Sequence, residues 1–224
     1  MAIIPTRDES PEITSNTVML IEGNDEIKFF NAFLSHMGMT PGTEMQTRSV
    51  RGKENFREEL PAFLNDPNFS RVTAYAIVRD ADMNAMDALR SIRDLLRNMQ
   101  QPCPENHASF AYNDDRTLKV GIFIITGNTT SGMLEDLCLR SVLNHSIFPH
   151  VIDFVTKINE TMGDQAPNNQ SKAKVQAFLS GMHKTVPHLG VAAMKHYWPF
   201  DDEAFDELRY FIKQLILPSD LAQI

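Results

Sequence analysis

Residues 18–30 read VMLIEGNDEIKFF, and residues 76–84 read AIVRDADMN. Each stretch begins with an unbroken apolar run, rich in β-branched residues, and then becomes acidic. Short apolar runs of this kind indicate strands that are buried on both faces of a parallel sheet. The two stretches therefore predict an α/β fold in which carboxylates directly follow buried strands.

The same unit recurs along the first two thirds of the chain. Strands are predicted at 17–21, 45–50, 71–79 and 119–126, and helices at 24–37, 54–64, 85–99 and 133–143. Asn24 is expected to cap the first helix and Gly38 to close it. Alternation of strands and helices is typical of βαβ crossovers. We therefore expect a mostly parallel four-stranded sheet flanked by helices.

The remaining segments lack a strand pattern. Residues 100–116 are polar and contain prolines and an Asn-Asp-Asp run, so we expect irregular structure there. After residue 144, helices are predicted at 147–162, 170–182 and 202–216, with Trp198 docked against the core. This division predicts an α/β domain over 1–144 and a helical C-terminal extension over 145–224, packed on that domain.

Composition limits the classes of function. The 224 residues carry a formal net charge of −8, so a polyanionic partner would need a local basic patch or bound metal ions. The two cysteines form no Cys-x-x-Cys motif and are expected to be reduced thiols, as in a cytoplasmic protein. No apolar run reaches the roughly 18 residues of a membrane span, so we expect no membrane partner.

Acidic residues occur at the ends of two predicted strands. Glu22 follows the first, and Asp80 and Asp82 follow the third. In a parallel sheet these ends share one edge, where ligands gather. In an extended segment residues i and i+2 face the same side, so both aspartates could reach one cation. Because the donors would all be oxygens, Mg²⁺ or Mn²⁺ is favoured over Zn²⁺.

A simpler interpretation exists for each acid alone. A carboxylate at a strand end is usually a solvated turn residue, or a helix N-terminal charge that the helix dipole favours. Asp25 and Glu26 fall in the first turn of the first helix, and Glu135 and Asp136 fall in the first turn of a later one. The combination of Glu22-Gly23 with Asp80-x-Asp82 is what favours a shared site.

This combination resembles the Toprim domain, which has a Glu-Gly after its first strand and an Asp-x-Asp after a later one. The domain occurs in topoisomerases, primases, recombination proteins and OLD-family nucleases, and the resemblance covers roughly residues 17–140. A narrower resemblance, to stand-alone bacterial Toprim-like proteins related to OLD nucleases, rests on VRGKENFREEL, SGMLEDL, SKAKVQAFL and HYWPF. It implies a Toprim/Rossmann-like sheet.

The resemblance also implies roles for particular residues. Glu22 would be a metal ligand or a general acid/base, and Asp80 and Asp82 would hold Mg²⁺ or Mn²⁺. Asp25 and Glu26 fall where OLD-type domains often place a further acid, with Glu26 as the preferred metal ligand, and Glu135 matches an acid that helps to build a second metal site. Two metals about 3.5–4 Å apart would stabilise the attacking and leaving oxygens of phosphodiester cleavage. OLD-type domains also use a late lysine, for which Lys172 and Lys174 are candidates.

Phosphodiester chemistry also needs positive charge near the phosphoryl oxygens. Arg51 and Lys53 flank Gly52 at the end of the second strand, and Lys53 is our preferred catalytic cation, with Arg51 and Lys172 as phosphate-binding candidates. Arg79 is expected to form a structural ion pair. The stripe Arg90, Arg93 and Arg97 is typical of a solvated helix face, although a nucleic-acid contact would use the same pattern.

The sequence leaves three functions open. The first is a metal-dependent nuclease or nuclease subunit acting on DNA or RNA. The second is a non-catalytic module that binds Mg²⁺ or a nucleotide and regulates a separately encoded ATPase, since no Walker A motif is present. The third, less favoured, is a haloacid-dehalogenase-like phosphatase with Asp80 as nucleophile, although a whole βα unit precedes that aspartate. The oligomeric state is not predicted.

Overall fold

The fold is seen in a computed structural model that describes residues 12–126 and 131–218. One sheet organises the described chain. Its five strands are β1 (Thr17–Ile21), β2 (Gln46–Ser49), β3 (Ala74–Asp80), β4 (Ser109–Tyr112) and β5 (Lys119–Ile125). Their order in the sheet is β2-β1-β3-β5-β4, and every pairing is parallel except that of β4 with β5. The α/β class and the mostly parallel sheet are confirmed.

Helices connect and cover the strands. They are α1 (Asn24–His36), α2 (Phe56–Leu64), α3 (Ala85–Asn98), α4 (Leu134–Ser141), α5 (Phe148–Met162), α6 (Gln170–Ser180), α7 (Leu189–Met194) and α8 (Asp206–Ile216). The first helix is preceded by Gly23 as its N-cap, so the predicted capping role of Asn24 is wrong. Gly38 does follow the helix in the left-handed conformation (φ 81°), as predicted.

The count of four strands is wrong. Ser109–Tyr112 forms an antiparallel edge strand against β5, inside the segment for which irregular structure was predicted. All four of its residues are partly exposed. Such a short edge strand lacks the buried run that identified the other strands, which explains why it was missed.

Two apolar clusters cover the two faces of the sheet, because alternate residues of each strand point to opposite faces. Val18, Leu20, Tyr75 and Ile77 pack with residues of α2 and α3 on one face. On the other face the strand residues pack with α1, α4 and the C-terminal helices, as seen for Met19, Ile21, Ala76, Val78, Phe178 and Trp198.

The helices after residue 144 lie close to their predicted positions, with α7 as an additional element. Trp198 is 1% exposed, and its Nε1 donates to the Leu189 carbonyl at 3.1 Å, which confirms its docking. These helices share a core with β1 and α1. The division at 144/145 stays a prediction, and residues 1–11, 127–130 and 219–224 within the two units lie outside the described part.

Among the described helices, none combines the length and the apolar character that crossing a bilayer requires.

Candidate functional site

A pocket of about 520 Å³ lies at the carboxyl edge of the parallel strands. The register places Ile21 of β1 beside Val78 of β3, and Asp80 beside Ile125 of β5, so these strands end together. Residues at or next to the N-termini of α1, α4, α6 and α7 complete the wall. The pocket is lined by six carboxylates: Glu22, Asp25, Glu26, Asp80, Asp82 and Glu135.

The position of the Glu26 side chain requires a glycine at residue 23, after Glu22. Glu26 folds back from the first turn of α1 and accepts a hydrogen bond from the Gly23 backbone. A Cβ at position 23 would lie 2.8 Å from Glu26 Oε1, which is closer than real Cβ contacts. Gly23 is therefore the residue that allows Glu26 to approach Glu22.

The two aspartates after β3 are held differently. Asp80 Oδ1 accepts the Leu134 N–H at 3.0 Å, which links the end of β3 to the start of α4. Asp82 exchanges two backbone hydrogen bonds of 2.8 Å with Gly132. Its side-chain Oδ2 accepts a hydrogen bond of 2.8 Å from Lys53 Nζ. Both aspartates line the pocket, but only Asp82 is paired with a lysine.

The expectation that Asp80 and Asp82 face one side because residues 80–82 are extended is wrong. Asp82 has a φ of 52°, in the left-handed region, so the segment is not extended through residue 82. The intervening Ala81 is 1% exposed. The backbone turn after Asp80, and not strand alternation, brings Asp82 to the pocket.

Glu135 and Lys172 form the opposite side of the pocket. Glu135 lies in the first turn of α4, and its side chain is 17% exposed. Lys172, in the first turn of α6, places Nζ 4.0 Å from Glu135 Oε1 and is 63% exposed. The structure thus places both residues at the candidate site, where the resemblance suggested an acid and a late lysine.

Burial and mutual repulsion make this a site that resists ionisation. Desolvation raises the pKa of Glu22, with repulsion from Asp82 as the next cause. Desolvation and then the Glu22 charge raise the pKa of Glu26 to about 8. Desolvation likewise raises the pKa of Asp80 and of Glu135. Clustered carboxyl groups of this kind need protons or a cation to compensate them.

The donor set fits a hard divalent cation. Glu22 Oε2 and Glu26 Oε2 are buried, and neither has a hydrogen-bond partner among the described residues. Oxygen donors without partners are what Mg²⁺ or Mn²⁺ would satisfy. In 12–126 and 131–218, no three Asp, Glu, His or Cys side chains stand close enough together to hold a metal ion as they are.

Several predicted residues lie away from the pocket wall. Lys53 is outside the pocket lining, and its Nζ contacts the pocket residue Asp82 at 2.8 Å. Arg51 is exposed, has a φ of 61° and is also outside the lining, so the structure does not bring it to the acids. Arg79 lies 4.0 Å from Asp82 Oδ2, which confirms its predicted ion pair.

Asp25 and the arginine stripe of α3 both form contacts that are structural in character. Asp25 Oδ2 accepts the Gly190 N–H at 3.1 Å, so this acid ties α1 to α7. The exposed ends of the arginine stripe pair with acids one turn away, Arg90 with Asp87 and Arg97 with Asp94. The stripe therefore has the character of a solvated helix face.

Three polar residues of the pocket wall were missed: Asn169, Gln176 and His188. Asn169 caps α6 by accepting the Lys172 N–H at 2.8 Å, and an Asn before a helical pattern could have revealed this position. His188 is exposed and precedes α7. No spacing in the sequence connects His188 or Gln176 with the strand ends.

Comparison with known proteins gives one family and one group of distant structures. None of the curated proteins matches the chain. Three structures of the C-terminal region of the Xanthomonas campestris pv. campestris OLD protein, phased with mercury, platinum and iodine, are similar at 13%, 15% and 13% identity. They cover 90%, 92% and 92% of this chain and 93%, 93% and 97% of theirs, with TM-scores of 0.38, 0.38 and 0.41.

These TM-scores are too low to support an inference about the site. The family match is far more extensive, because it spans residues 16–217 and so includes every element from β1 to α8. The chain therefore belongs to the family described as "Protein of unknown function (DUF3226)".

Proposed function

We propose that this protein is a Mg²⁺- or Mn²⁺-dependent phosphodiesterase, a nuclease or a nuclease subunit, with a Toprim-like acidic site. The observation that carries the proposal is the convergence of Glu22, Glu26, Asp80, Asp82 and Glu135 in one pocket. Two of their buried oxygens have no partner among the described residues. Isolated solvated acids would not be gathered and desolvated in this way.

The residues divide into ligands and cations. Glu22, Asp80 and Asp82 would hold the first ion, and Glu26 and Glu135 border the same pocket as candidates for a second. When bound, the metal would neutralise phosphoryl charge and activate water. Glu22 would either complete the ligand set of this ion or, as a general base, accept a proton from the attacking water. Lys53 and Lys172 would stabilise phosphoryl oxygens by donating from Nζ.

The Toprim-like roles of Glu22, Asp80 and Asp82 are supported by their common edge of the sheet. The phosphatase alternative is not favoured, because Asp80 is tied to the Leu134 N–H and desolvation raises its pKa. A nucleophilic carboxylate must be ionised and accessible. The geometry therefore suits Asp80 as a ligand better than as a nucleophile.

A regulatory, non-catalytic metal module is the second candidate. It is favoured by one contact, the 2.8 Å ion pair between Lys53 and Asp82, which engages the cation that cleavage would need at the phosphoryl oxygens. In that case the protein would bind Mg²⁺ and act through a separate ATPase, with no turnover of its own.

One experiment separates these candidates. Crystals soaked in Mn²⁺ should show anomalous density between Glu22 and Asp80, and the protein should cleave DNA or RNA in Mn²⁺. The Glu22→Gln and Asp80→Asn variants should lose cleavage, while Asp153→Asn on the surface of α5 should keep it. Metal density without any cleavage would support the regulatory module. Density only at other places would exclude the proposed site.

A further inference from the structure

A second cavity, of about 560 Å³, lies on the other side of Lys53. It runs between the start of α2 and the exposed side of α3. We name it the α2–α3 groove and define it by its polar lining, Lys53, Glu54, Arg57, Arg79, Ser91, Asp94 and Asn98. None of its members belongs to the lining of the acidic pocket.

A small cleft lies between the α2–α3 groove and the acidic pocket. This cleft, of about 240 Å³, shares Lys53 and Arg79 with the groove, and shares Asp82 with the pocket. A chain-like ligand could therefore pass from the carboxylates across Asp82 and enter the groove without leaving the surface.

The charge becomes less negative along this path. The groove lining has three cations, Lys53, Arg57 and Arg79, against Glu54 and Asp94, an excess of one positive charge. The cleft that leads to it adds Asp82 and Asp87, which pair with Lys53 and Arg90. In a chain of net charge −8, a lining with excess positive charge beside the acidic pocket opposes the general trend. Such a lining is where a polyanion can be held.

The cations of the groove also have donors to offer. Arg79 Nε is buried and has no hydrogen-bond partner among the described residues. Arg57 is exposed. If a metal takes Asp82, Lys53 Nζ loses its 2.8 Å partner and becomes available to another anion. Charge-assisted contacts to phosphate oxygens would satisfy Arg57 and the released Lys53. Arg79 already donates from Nη1 to Ser91 Oγ and lies 4.0 Å from Asp82, so its side chain would have to turn toward the groove to join them.

An apolar surface borders the same path. Met83 lines the small cleft and is 88% exposed, and Met86, one turn further on, is 65% exposed. A free phosphate or pyrophosphate would gain nothing from these side chains. A nucleotide would, because its sugar and base offer apolar area beside each phosphate.

We infer that the α2–α3 groove holds the phosphodiester backbone of a nucleic-acid strand whose scissile phosphate lies in the acidic pocket. The inference rests on the proposed function, since the strand is the substrate of that pocket. Arg57 and Arg79 bind phosphates beyond the site of cleavage. Met83 contacts the nucleotide that lies between the acidic pocket and the groove. Arg57 is thus a substrate-binding residue that leaves the metal ligands untouched.

Fluorescence anisotropy with short fluorescein-labelled DNA and RNA strands, in Ca²⁺, tests the groove. Arg57→Glu should weaken binding at least tenfold and should lower the slope of log affinity against log salt by about 0.7, the value for one lost phosphate contact. Arg140→Glu, an exposed arginine outside the groove, should bind like the unaltered protein. Met83→Ser should weaken strand binding several-fold.

Mn²⁺ titration of the same variants keeps the two proposals distinguishable. Arg57→Glu should bind Mn²⁺ as tightly as the unaltered protein, while Asp80→Asn should not. If Asp80→Asn loses Mn²⁺ but Arg57→Glu binds strands normally, the groove is wrong and the metal site stands. If Asp80→Asn keeps its Mn²⁺, the proposed function fails. Displacement of the strand by inorganic phosphate at equal concentration would also overturn the groove, as a simple phosphate site.

Discussion

Glu26 is the residue whose protonation most directly couples the site to stability. Its pKa is raised from 4.5 to about 8 by burial and by Glu22. Between these values the folded state keeps a proton that the unfolded state has lost, so the free energy of unfolding falls as pH rises from about 4.5 to about 8. Below this window both states are protonated, and above it the full penalty applies.

Glu26→Gln should remove the contribution of Glu26 to this pH dependence and leave those of Glu22, Asp80 and Glu135. In EDTA the variant should be more stable than the unaltered protein at pH above 8, by a few kcal/mol at about 1.4 kcal/mol per pKa unit, and nearly equal in stability at low pH. Urea unfolding across this range measures the difference. The exposed Glu160→Gln change should show no effect at any pH. A variant that is less stable at high pH would contradict the assigned cost of ionising Glu26.

Lys53 would compete with the proposed metal ion for Asp82. Its Nζ is 2.8 Å from Asp82 Oδ2, and hydrogen bonding to that carboxylate raises the pKa of Lys53. Lys53→Gln should therefore tighten Mn²⁺ binding about three- to tenfold while it reduces cleavage by about 100-fold or more, the loss typical of a missing phosphoryl-stabilising donor. Calorimetric titration and a cleavage assay measure the two effects separately.

Lys28→Gln is the matched control for Lys53, because Lys28 is an exposed lysine on α1 outside the pocket lining. It should change neither quantity. If Lys53→Gln weakened Mn²⁺ binding, Lys53 would support the metal site and would not compete with it.

At the residue scale, the sequence was informative where a carboxylate followed a buried strand. Glu22, Asp80 and Asp82 all line the predicted edge, and Glu26 and Glu135 join them. What could not be predicted depends on backbone geometry outside regular elements. The left-handed conformation of Asp82 is set by its contact with Gly132, fifty residues away along the chain. Short sequence patterns do not encode such distant pairings.

At the scale of elements, Gly132 holds the β3–α3 turn against the start of α4. Gly132 has a φ of 140°, and a Cβ there would lie 2.3 Å from Thr126 Oγ1. Gly132→Ala should therefore force the chain away from Asp82 and break their paired 2.8 Å hydrogen bonds. We expect a loss of about 2–4 kcal/mol in unfolding free energy and weaker Mn²⁺ binding.

Gly163→Ala isolates the effect of the clash from that of the backbone angle. Gly163 also has a positive φ, 51°, but nothing lies within 4 Å of a Cβ placed there. This variant should lose about 1–3 kcal/mol, because φ 51° with ψ −122° is a region that residues with a Cβ rarely adopt, and it should bind Mn²⁺ normally. Normal Mn²⁺ binding by Gly132→Ala as well would mean that Gly132 matters for its φ alone, and not for its contact with Thr126.

The longest strands were predicted from the apolar surface that they bury, whereas β2, which reads QTRS, was predicted without an apolar run of its own. β1, β3 and β5 are almost wholly buried, and their apolar runs in the sequence predicted them as strands. β4 is partly exposed at the sheet edge, and α7 has only six residues, so neither carries a long periodic pattern. β4 is stabilised by its contacts with β5, and α7 by its contacts with α1. A local sequence pattern does not show such contacts.

At the scale of the whole molecule, the C-terminal helices are part of the site as well as of the core. α7 packs against α1, and its Gly190 lies so close that a Cβ there would be 2.2 Å from the Asp25 carbonyl oxygen. Residues of α6 and α7 form one wall of the acidic pocket. A division of the chain at 144/145 would therefore separate the carboxylates from part of their pocket.

Trp198 offers the test of this coupling. It stacks on Phe178 at 5.4 Å and donates to the Leu189 carbonyl, so it supports α6 and α7 together. Trp198→Ala should cost about 3–5 kcal/mol and should also weaken Mn²⁺ binding, because the wall carrying Leu189 loses its support. Thermal unfolding and Mn²⁺ titration below the unfolding transition measure the two losses.

Leu96→Ala is the control on the opposite face of the sheet. Leu96 is fully buried in the cluster under α2 and α3 and lines none of the cavities described above. Its truncation should cost a comparable 2–5 kcal/mol yet leave Mn²⁺ affinity unchanged. If both variants lose Mn²⁺ affinity equally, global stability governs metal binding and the helical wall has no specific part in it. If only Trp198→Ala loses it, the extension is a structural component of the acidic site.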